Sequence, residues 1–167
     1  MLTSAIDGQD INAIELAKVA VVISDRSHWG RIRISDDDRL RFLHNQSTNN
    51  FQVLKPGQGC DTVMVTSTAR TIDLVTSYVL DDAVLLLVSP NRRQQLMAWL
   101  DRYIFFADKV KLTDVTEETA TFSLIGPESH GIVEKLGAGD LIGQPNGNHI
   151  LVDGAIVAVG SGLALPG

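Results

Sequence analysis

An aspartate inside an apolar strand is the residue of this chain best suited to chemistry. Asp73 lies in the segment 71–80, which is otherwise rich in Thr, Val and Ile. A carboxylate among such residues either faces outward or is held by polar partners in a binding site. Asn49, in a loop after a predicted helix, is a second candidate because its amide donates and accepts hydrogen bonds at once. The alternative role for Asn49 is to cap that helix and shape the loop.

Other kinds of site have little support in the sequence. The histidines lack the i, i+3 or i, i+4 companions that zinc ligands on a helix show; they are His28, His44, His130 and His149. The single cysteine, Cys60, excludes an internal disulfide and a metal site built from cysteines alone. No Ser-His-Asp or Cys-His arrangement can be assembled from motifs. The sequence therefore predicts no metal site and leaves the catalytic residues unassigned.

Charge and hydropathy exclude two classes of partner. The formal net charge is −6, and the basic residues between 26 and 41 are interrupted by the acidic run 36–38. We expect no nucleic-acid partner, because binding to a phosphate backbone needs a clustered positive surface. We expect no membrane partner either, because no apolar run reaches the length of a span and the first residues lack signal-peptide features. The expected location is cytoplasmic, or an organelle stroma or matrix if a transit peptide has been removed.

Hydrophobic periodicity predicts helices that interleave with strands. Helices are predicted at 12–20, from Ser35 or Asp36 to 46, after a cap at Ser89, and at 128–136. Strands are predicted at 21–23, 31–34, 61–66, 71–80, 83–88, 109–113, 120–124, 149–152 and 155–159. The strands from 61 to 88 predict an antiparallel meander, and 109–113 with 120–124 predicts a second hairpin. The alternation in 31–34 predicts one apolar and one charged face, and Gly30 is predicted to adopt a backbone conformation closed to other residues.

This order of elements predicts the fold class. A length of 167 residues, with 44% hydrophobic and 20% charged residues, is typical of one folded domain. Helices interleaved with antiparallel strands are typical of an α+β domain, in which helices pack on a mostly antiparallel sheet. We therefore expect a single α+β domain over residues 1–167.

Six short motifs follow one another in register from residue 25 to residue 128. They are DRSHWGRI at 25–32, FL at 42–43 leading to STNN at 47–50, LKPG at 54–57, ARTID at 69–73, LLLVSPN at 85–91 and GPE at 126–128. In order and spacing they resemble the amino-terminal folate-binding domain shared by the glycine cleavage T-protein, an aminomethyltransferase, and the YgfZ family. The ARTID form of the strand resembles YgfZ more than a transferase.

The resemblance implies tetrahydrofolate or a derivative as the cofactor. It assigns folate contacts to five residues, which are Thr48, Asn49, Asp73, Tyr78 and Asn91. For Tyr78, packing against a neighbouring strand is the alternative role. The aspartate that resembled transferases use in aminomethyl transfer corresponds to Leu74, and leucine cannot accept a proton. The YgfZ element of the form Lys-Gly-Cys-Tyr-x-Gly-Gln-Glu is also absent from this sequence.

The function implied by the resemblance is that of a tetrahydrofolate-binding, YgfZ-like accessory protein. Such a protein acts in a folate-dependent step that maintains iron-sulfur enzymes, so iron-sulfur proteins would be its clients. Two alternatives stay open: an aminomethyltransferase fragment, and a non-catalytic interaction module that keeps the fold without the ligand. Because members of the resembled family are longer, we expect this chain to be a truncated or domain-length version.

Overall fold

The computed structural model describes residues 10–160, in which helices alternate with groups of strands. The helices are α1 (Asp10–Val19), α2 (Arg39–Gln46), α3 (Arg93–Asp101) and α4 (Ser129–Lys135). The strands are β1 (Val22–Asp25), β2 (Gly30–Ser35), β3 (Gly59–Val65), β4 (Thr71–Val79), β5 (Ala83–Val88), β6 (Lys111–Asp114), β7 (Phe122–Ile125), β8 (His149–Val152) and β9 (Ala155–Ala158). Within residues 10–160, no helix is long and apolar enough to cross a membrane.

A five-stranded antiparallel sheet is the centre of the fold. Its strand order is β3-β4-β5-β2-β6, and every neighbouring pair is antiparallel. The other described strands form the two-stranded pairs β1-β7 and β8-β9. These pairings confirm the predicted α+β class and the predicted meander over β3, β4 and β5.

One face of the central sheet forms the core with α2 and α3. The apolar residues that β2 and β4 direct to this face, such as Ile32 and Val75, are at most 1% exposed. They belong to one buried cluster with Leu43 of α2 and with Leu96 and Leu100 of α3. Burying a side chain of this size stabilises a fold by about 1.5–3 kcal/mol. We call this side the helix face and the opposite side the outer face.

The predicted hairpin between 109–113 and 120–124 is wrong. Instead, β6 pairs with β2, and β7 pairs with β1. The connection between β6 and β7 is held by Arg31, whose guanidinium donates hydrogen bonds to the backbone oxygens of Thr116 and Thr119. Arg31 is only 3% exposed, so the prediction of a charged, half-buried strand also fails at this position.

Helix α2 begins later than predicted. It starts at Arg39 rather than at 35 or 36, because Asp36 has a φ of 76° and lies outside the helical conformation. Asp38 is in the N-cap position, yet its carboxylate accepts a hydrogen bond at 3.0 Å from the backbone N–H of Lys109. Pairing with the strand region before β6 therefore replaces the local cap that the sequence suggests.

Gly30 is needed for space rather than for an unusual backbone angle. It is not among the glycines with positive φ in the described chain, so the predicted conformation is wrong. A Cβ at this position would lie 2.9 Å from Cβ of Arg93. The missing side chain lets the start of α3 approach the start of β2.

Candidate functional site

The outer face of β4 combines apolar and polar side chains in neighbouring positions. The strand register places Leu74, Thr76 and Tyr78 on this face, with Asp61 of β3 and Leu87 of β5 on either side of Thr76. Leu74 is 59% exposed, whereas Leu87 is 7% exposed. An accessible apolar surface bordered by a few polar groups is the usual composition of a site for a small organic molecule.

Asp61 organises the β3 edge of this face. Its carboxylate accepts hydrogen bonds from Oγ1 of Thr76 at 2.7 Å and from Nδ2 of Asn146 at 3.0 Å. Both carboxylate oxygens therefore already have partners. Sequence reasoning missed Asp61, although it carries the same signal as Asp73, a carboxylate inside an apolar strand.

Thr48 and Asn49 extend the sheet beside β3. Thr48 exchanges two hydrogen bonds with the backbone of Val63, at 3.1 and 3.2 Å. The side-chain amide of Asn49 donates to the backbone oxygen of Asp61 at 2.5 Å. The backbone N–H of Asn49 donates to Oγ1 of Thr62 at 3.2 Å. Both predicted site residues thus lie at the β3 edge, where their polar groups hold the loop to the strand.

Asp73 lies on the other side of the sheet from Tyr78. It is 7% exposed and pairs with the fully buried Met64, so its side chain belongs to the helix face. Its Oδ2 accepts a hydrogen bond at 3.0 Å from the backbone N–H of Ser89. This bond holds the turn between β5 and α3. Helix α3 begins only at Arg93, so the prediction that Ser89 caps it is wrong.

Asn91 is also separated from Tyr78. It has a φ of 66° in the turn before α3 and lines a cleft of about 370 Å³ at the ends of β2 and β5. Arg93 projects into this cleft but already forms ion pairs with Asp114 at 3.2 Å and Glu117 at 3.4 Å. The cationic group of the cleft is therefore satisfied within the protein.

Arg26 and Trp29 form a stacked pair in the turn between β1 and β2. The backbone N–H of Trp29 donates to the carbonyl of Arg26 at 2.9 Å, which closes the turn. The guanidinium carbon of Arg26 lies 3.7 Å from the centre of the Trp29 ring, a cation–π contact. Partial burial lowers the pKa of Arg26, and its charge interacts with Tyr78. The sequence showed both residues, but it did not show that the charge of Arg26 acts on Tyr78.

The pKa of the Tyr78 phenol is affected by two opposite charges, those of Asp61 and Arg26. Burial raises its pKa, the charge of Asp61 raises it further, and Arg26 opposes both effects. The ring also packs edge-on against His149, with centroids 5.4 Å apart. Tyr78 therefore stays a neutral hydrogen-bond donor on the outer face at physiological pH.

We expect Tyr78 to ionise at higher pH than an ordinary tyrosine. Because the fold raises its pKa above 10.0, its contribution to stability is complete below that pH and is lost as the pH rises through the raised value. Arg26→Gln should raise the pKa further, and Asp61→Asn should lower it. Phenolate ultraviolet absorbance measures this, with Tyr78→Phe leaving Tyr103 as the single remaining tyrosine. An unchanged titration in Arg26→Gln would show that the two side chains do not interact.

The described residues contain no cluster of side chains that could bind a metal ion. Between residues 10 and 160, no group of three or more His, Cys, Asp or Glu side chains is arranged to hold a metal ion. The candidate site is the outer face of β4, with Asp61 on the neighbouring strand and with Arg26 acting on Tyr78 through its charge.

Together, the antiparallel sheet and the helices that cover one of its faces define an α+β domain. Residues 8–144 match the family model described as the GCVT N-terminal domain. The chain belongs to this family, as the sequence motifs predicted.

Known relatives agree with this assignment. The chain is 52% identical, over 92% of its length, to a chloroplastic protein of Arabidopsis thaliana provisionally named as a transferase. It is 35% identical, over 70% of its length, to the aminomethyltransferase of Geobacillus thermodenitrificans. These matches cover 36% and 32% of the two relatives, so the chain spans about a third of the length of the curated relatives it matches.

A solved structure has the same fold. Glycine cleavage system aminomethyltransferase T from Bartonella henselae superimposes with a TM-score of 0.75, over 85% of this chain and 38% of its own. Sequence identity is 17%, so the likeness establishes the architecture and carries no information on the ligand.

Proposed function

We propose that this chain is a tetrahydrofolate-binding domain that receives folate on the outer face of β4. The observation that carries the proposal is the exposed Leu74 on the same face of β4 as a half-buried, neutral Tyr78, in a domain of the GCVT family. The folate link itself comes from the family, whose aminomethyltransferases use tetrahydrofolate.

The chemistry of folate suits this surface. Folate has a flat pterin, an aromatic spacer and an acidic tail, so it needs apolar area, an aromatic contact and a few polar groups. Leu74 supplies exposed apolar area, and Tyr78 supplies an aromatic ring with a hydroxyl. We propose that Thr48 and Asn49 border the site through Asp61.

The two remaining predicted contacts fit a supporting role better. Asp73 and Asn91 shape the turn between β5 and α3, where Asp73 binds the N–H of Ser89. We propose that they position the end of the site rather than contact the pterin.

Binding without transfer is the activity we propose. The outer face lacks a free carboxylate at Leu74, and the nearby carboxylate of Asp61 has both oxygens engaged. A transferase needs a group there that can accept a proton or stabilise developing positive charge. We therefore propose a YgfZ-type accessory role in a folate-dependent step that maintains iron-sulfur proteins. The compartment would be the cytosol or an organelle, as for the chloroplastic relative of Arabidopsis thaliana.

Calorimetric titration of tetrahydrofolate into the 167-residue chain tests the proposal. We expect saturable binding with a raised unfolding temperature, and affinity about tenfold weaker in Tyr78→Leu, because stacking on an aromatic ring contributes about 1–3 kcal/mol. The matched control is Tyr103→Leu, which changes the other tyrosine, packed against Trp99. Absence of binding to the folded chain would refute the proposal, and unchanged affinity in Tyr78→Leu would refute the assigned face.

A transfer assay separates the enzyme from the binder. The substrates are tetrahydrofolate and a lipoyl carrier bearing an aminomethyl group, and the measured product is methylenetetrahydrofolate. We expect no product above the uncatalysed background. Clear turnover would overturn the binding-only role and favour an aminomethyltransferase.

A further inference from the structure

Arg26 presents a cationic group whose hydrogen-bonding edge is free. Within residues 10–160, no ion pair involves Arg26, and its only hydrogen bonds are made by its backbone. Nearby arginines differ: Arg33 pairs with Asp82, and Arg93 pairs with Asp114. A half-buried guanidinium loses part of its hydration, and a cation–π contact engages only its flat face, so its N–H donors still lack a protein partner.

The stacking geometry leaves that edge available. A cation–π contact uses the flat face of the guanidinium, here 3.7 Å above the Trp29 ring centre. The N–H donors lie in the plane of the group, so a guanidinium stacked over a ring keeps them available for other partners. A planar fork of donors held in one orientation matches the two oxygens of a carboxylate. Trp29 thus holds the Arg26 guanidinium in an orientation suited to a bidentate contact with an anion.

Position and charge select the kind of anion. Arg26 lies in the turn that leads into β2, and β2 is separated from β4 by β5 alone, a distance of roughly 10 Å across the sheet. The charge of Arg26 also acts on the Tyr78 phenol, so a ligand on the outer face of β4 can extend to the free edge. Asp61 lies beside the same tyrosine and repels negative charge. One arginine beside a carboxylate suits a singly charged carboxylate better than a phosphate, which usually needs several cations or a nest of backbone N–H groups.

We propose that Arg26, oriented by Trp29, binds a carboxylate of the glutamate tail of folate while the aromatic part of the ligand lies against Tyr78. This inference rests on the proposed function. It identifies the acidic tail as a recognised part of the ligand and Arg26 as a specificity residue for it.

The test uses two ligands and two variants. The ligands are tetrahydrofolate and its diamide, in which both glutamate carboxylates become neutral amides of nearly the same shape. We expect Arg26→Gln to weaken tetrahydrofolate binding about tenfold and to leave diamide binding unchanged, since a charged hydrogen-bonded pair is lost with one ligand only. Arg26→Lys, which keeps the charge but loses the planar fork, should fall between the parent chain and Arg26→Gln.

Arg33→Gln is the matched control. It makes the same change on the outer face of β2, where the guanidinium already pairs with Asp82, and we expect it to bind both ligands as the parent chain does. Thermal unfolding without ligand verifies that each variant is folded. If the parent chain binds neither ligand, the proposed function fails and this inference fails with it. If the parent binds tetrahydrofolate but Arg26→Gln weakens both ligands equally, or neither, folate binding stands and the role of Arg26 is refuted.

Discussion

Replacing Arg31 with Met is expected to lower the free energy of unfolding by about 4 kcal/mol, a large part of a typical domain's stability. The buried guanidinium donates hydrogen bonds to the carbonyls of Ser27, Trp29, Thr116 and Thr119. Methionine fills similar volume but leaves these acceptors without a donor, and each orphaned buried group costs about 1–3 kcal/mol. Urea unfolding followed by circular dichroism measures the change.

Arg33→Met is the control on the same strand. Arg33 is partly exposed and pairs with the exposed Asp82 at the surface, so its replacement should cost no more than about 1 kcal/mol. Equal losses in the two variants would mean that the carbonyl network of Arg31 contributes little. A difference of the expected size would also connect stability with the site, since Arg31 holds the turn that carries Trp29 and Arg26.

The elements of the fold were predictable because their signals are local. Alternation and β-branched residues indicated β3, β4 and β5, and short turns made their pairing in sequence order the simplest outcome. The partners of β6 and β7 were not predictable in this way. The connection between them is held by Arg31, whose bonds to Thr116 cross 85 positions of the chain. A charged residue in an alternating strand indicates a solvated face unless a distant loop supplies acceptors.

Only part of the candidate site could be predicted from the sequence. Tyr78 was found through a family resemblance, and the separation of Asp73 from it followed from simple geometry. Positions that differ by an odd number on a regular strand point to opposite faces, so Asp73 and Tyr78 could not line the same face of β4. The roles of Asp61 and Arg26 were missed because their partners are remote in sequence: Asp61 accepts a hydrogen bond from Asn146, and the charge of Arg26 acts on Tyr78.

The β8–β9 hairpin borders Tyr78 and depends on a backbone contact between two glycines. Gly147 has a φ of 86°, and a Cβ there would lie 2.3 Å from the carbonyl oxygen of Gly59. Gly147→Ala is therefore expected to cost about 3 kcal/mol or more, because positive φ strains alanine and the backbone of Gly59 cannot move without disturbing β3. Urea unfolding, with hydrogen exchange of the β8 and β9 amides, measures both the total loss and its location.

Gly154→Ala separates the two causes of that loss. Gly154 has nearly the same φ, 84°, but a Cβ there would meet nothing within 4 Å, so only the backbone strain of about 1–2 kcal/mol applies. A larger loss in Gly147→Ala isolates the steric contact, which also aligns His149 for its ring contact with the carbonyl of Val79 at 3.1 Å. Faster exchange confined to β8 and β9 would show that the hairpin detaches as a unit and uncovers Tyr78. Equal decreases in the free energy of unfolding in the two variants would instead mean that the backbone at Gly59 moves to accept the new Cβ. The hairpin would then not be needed to enclose the site.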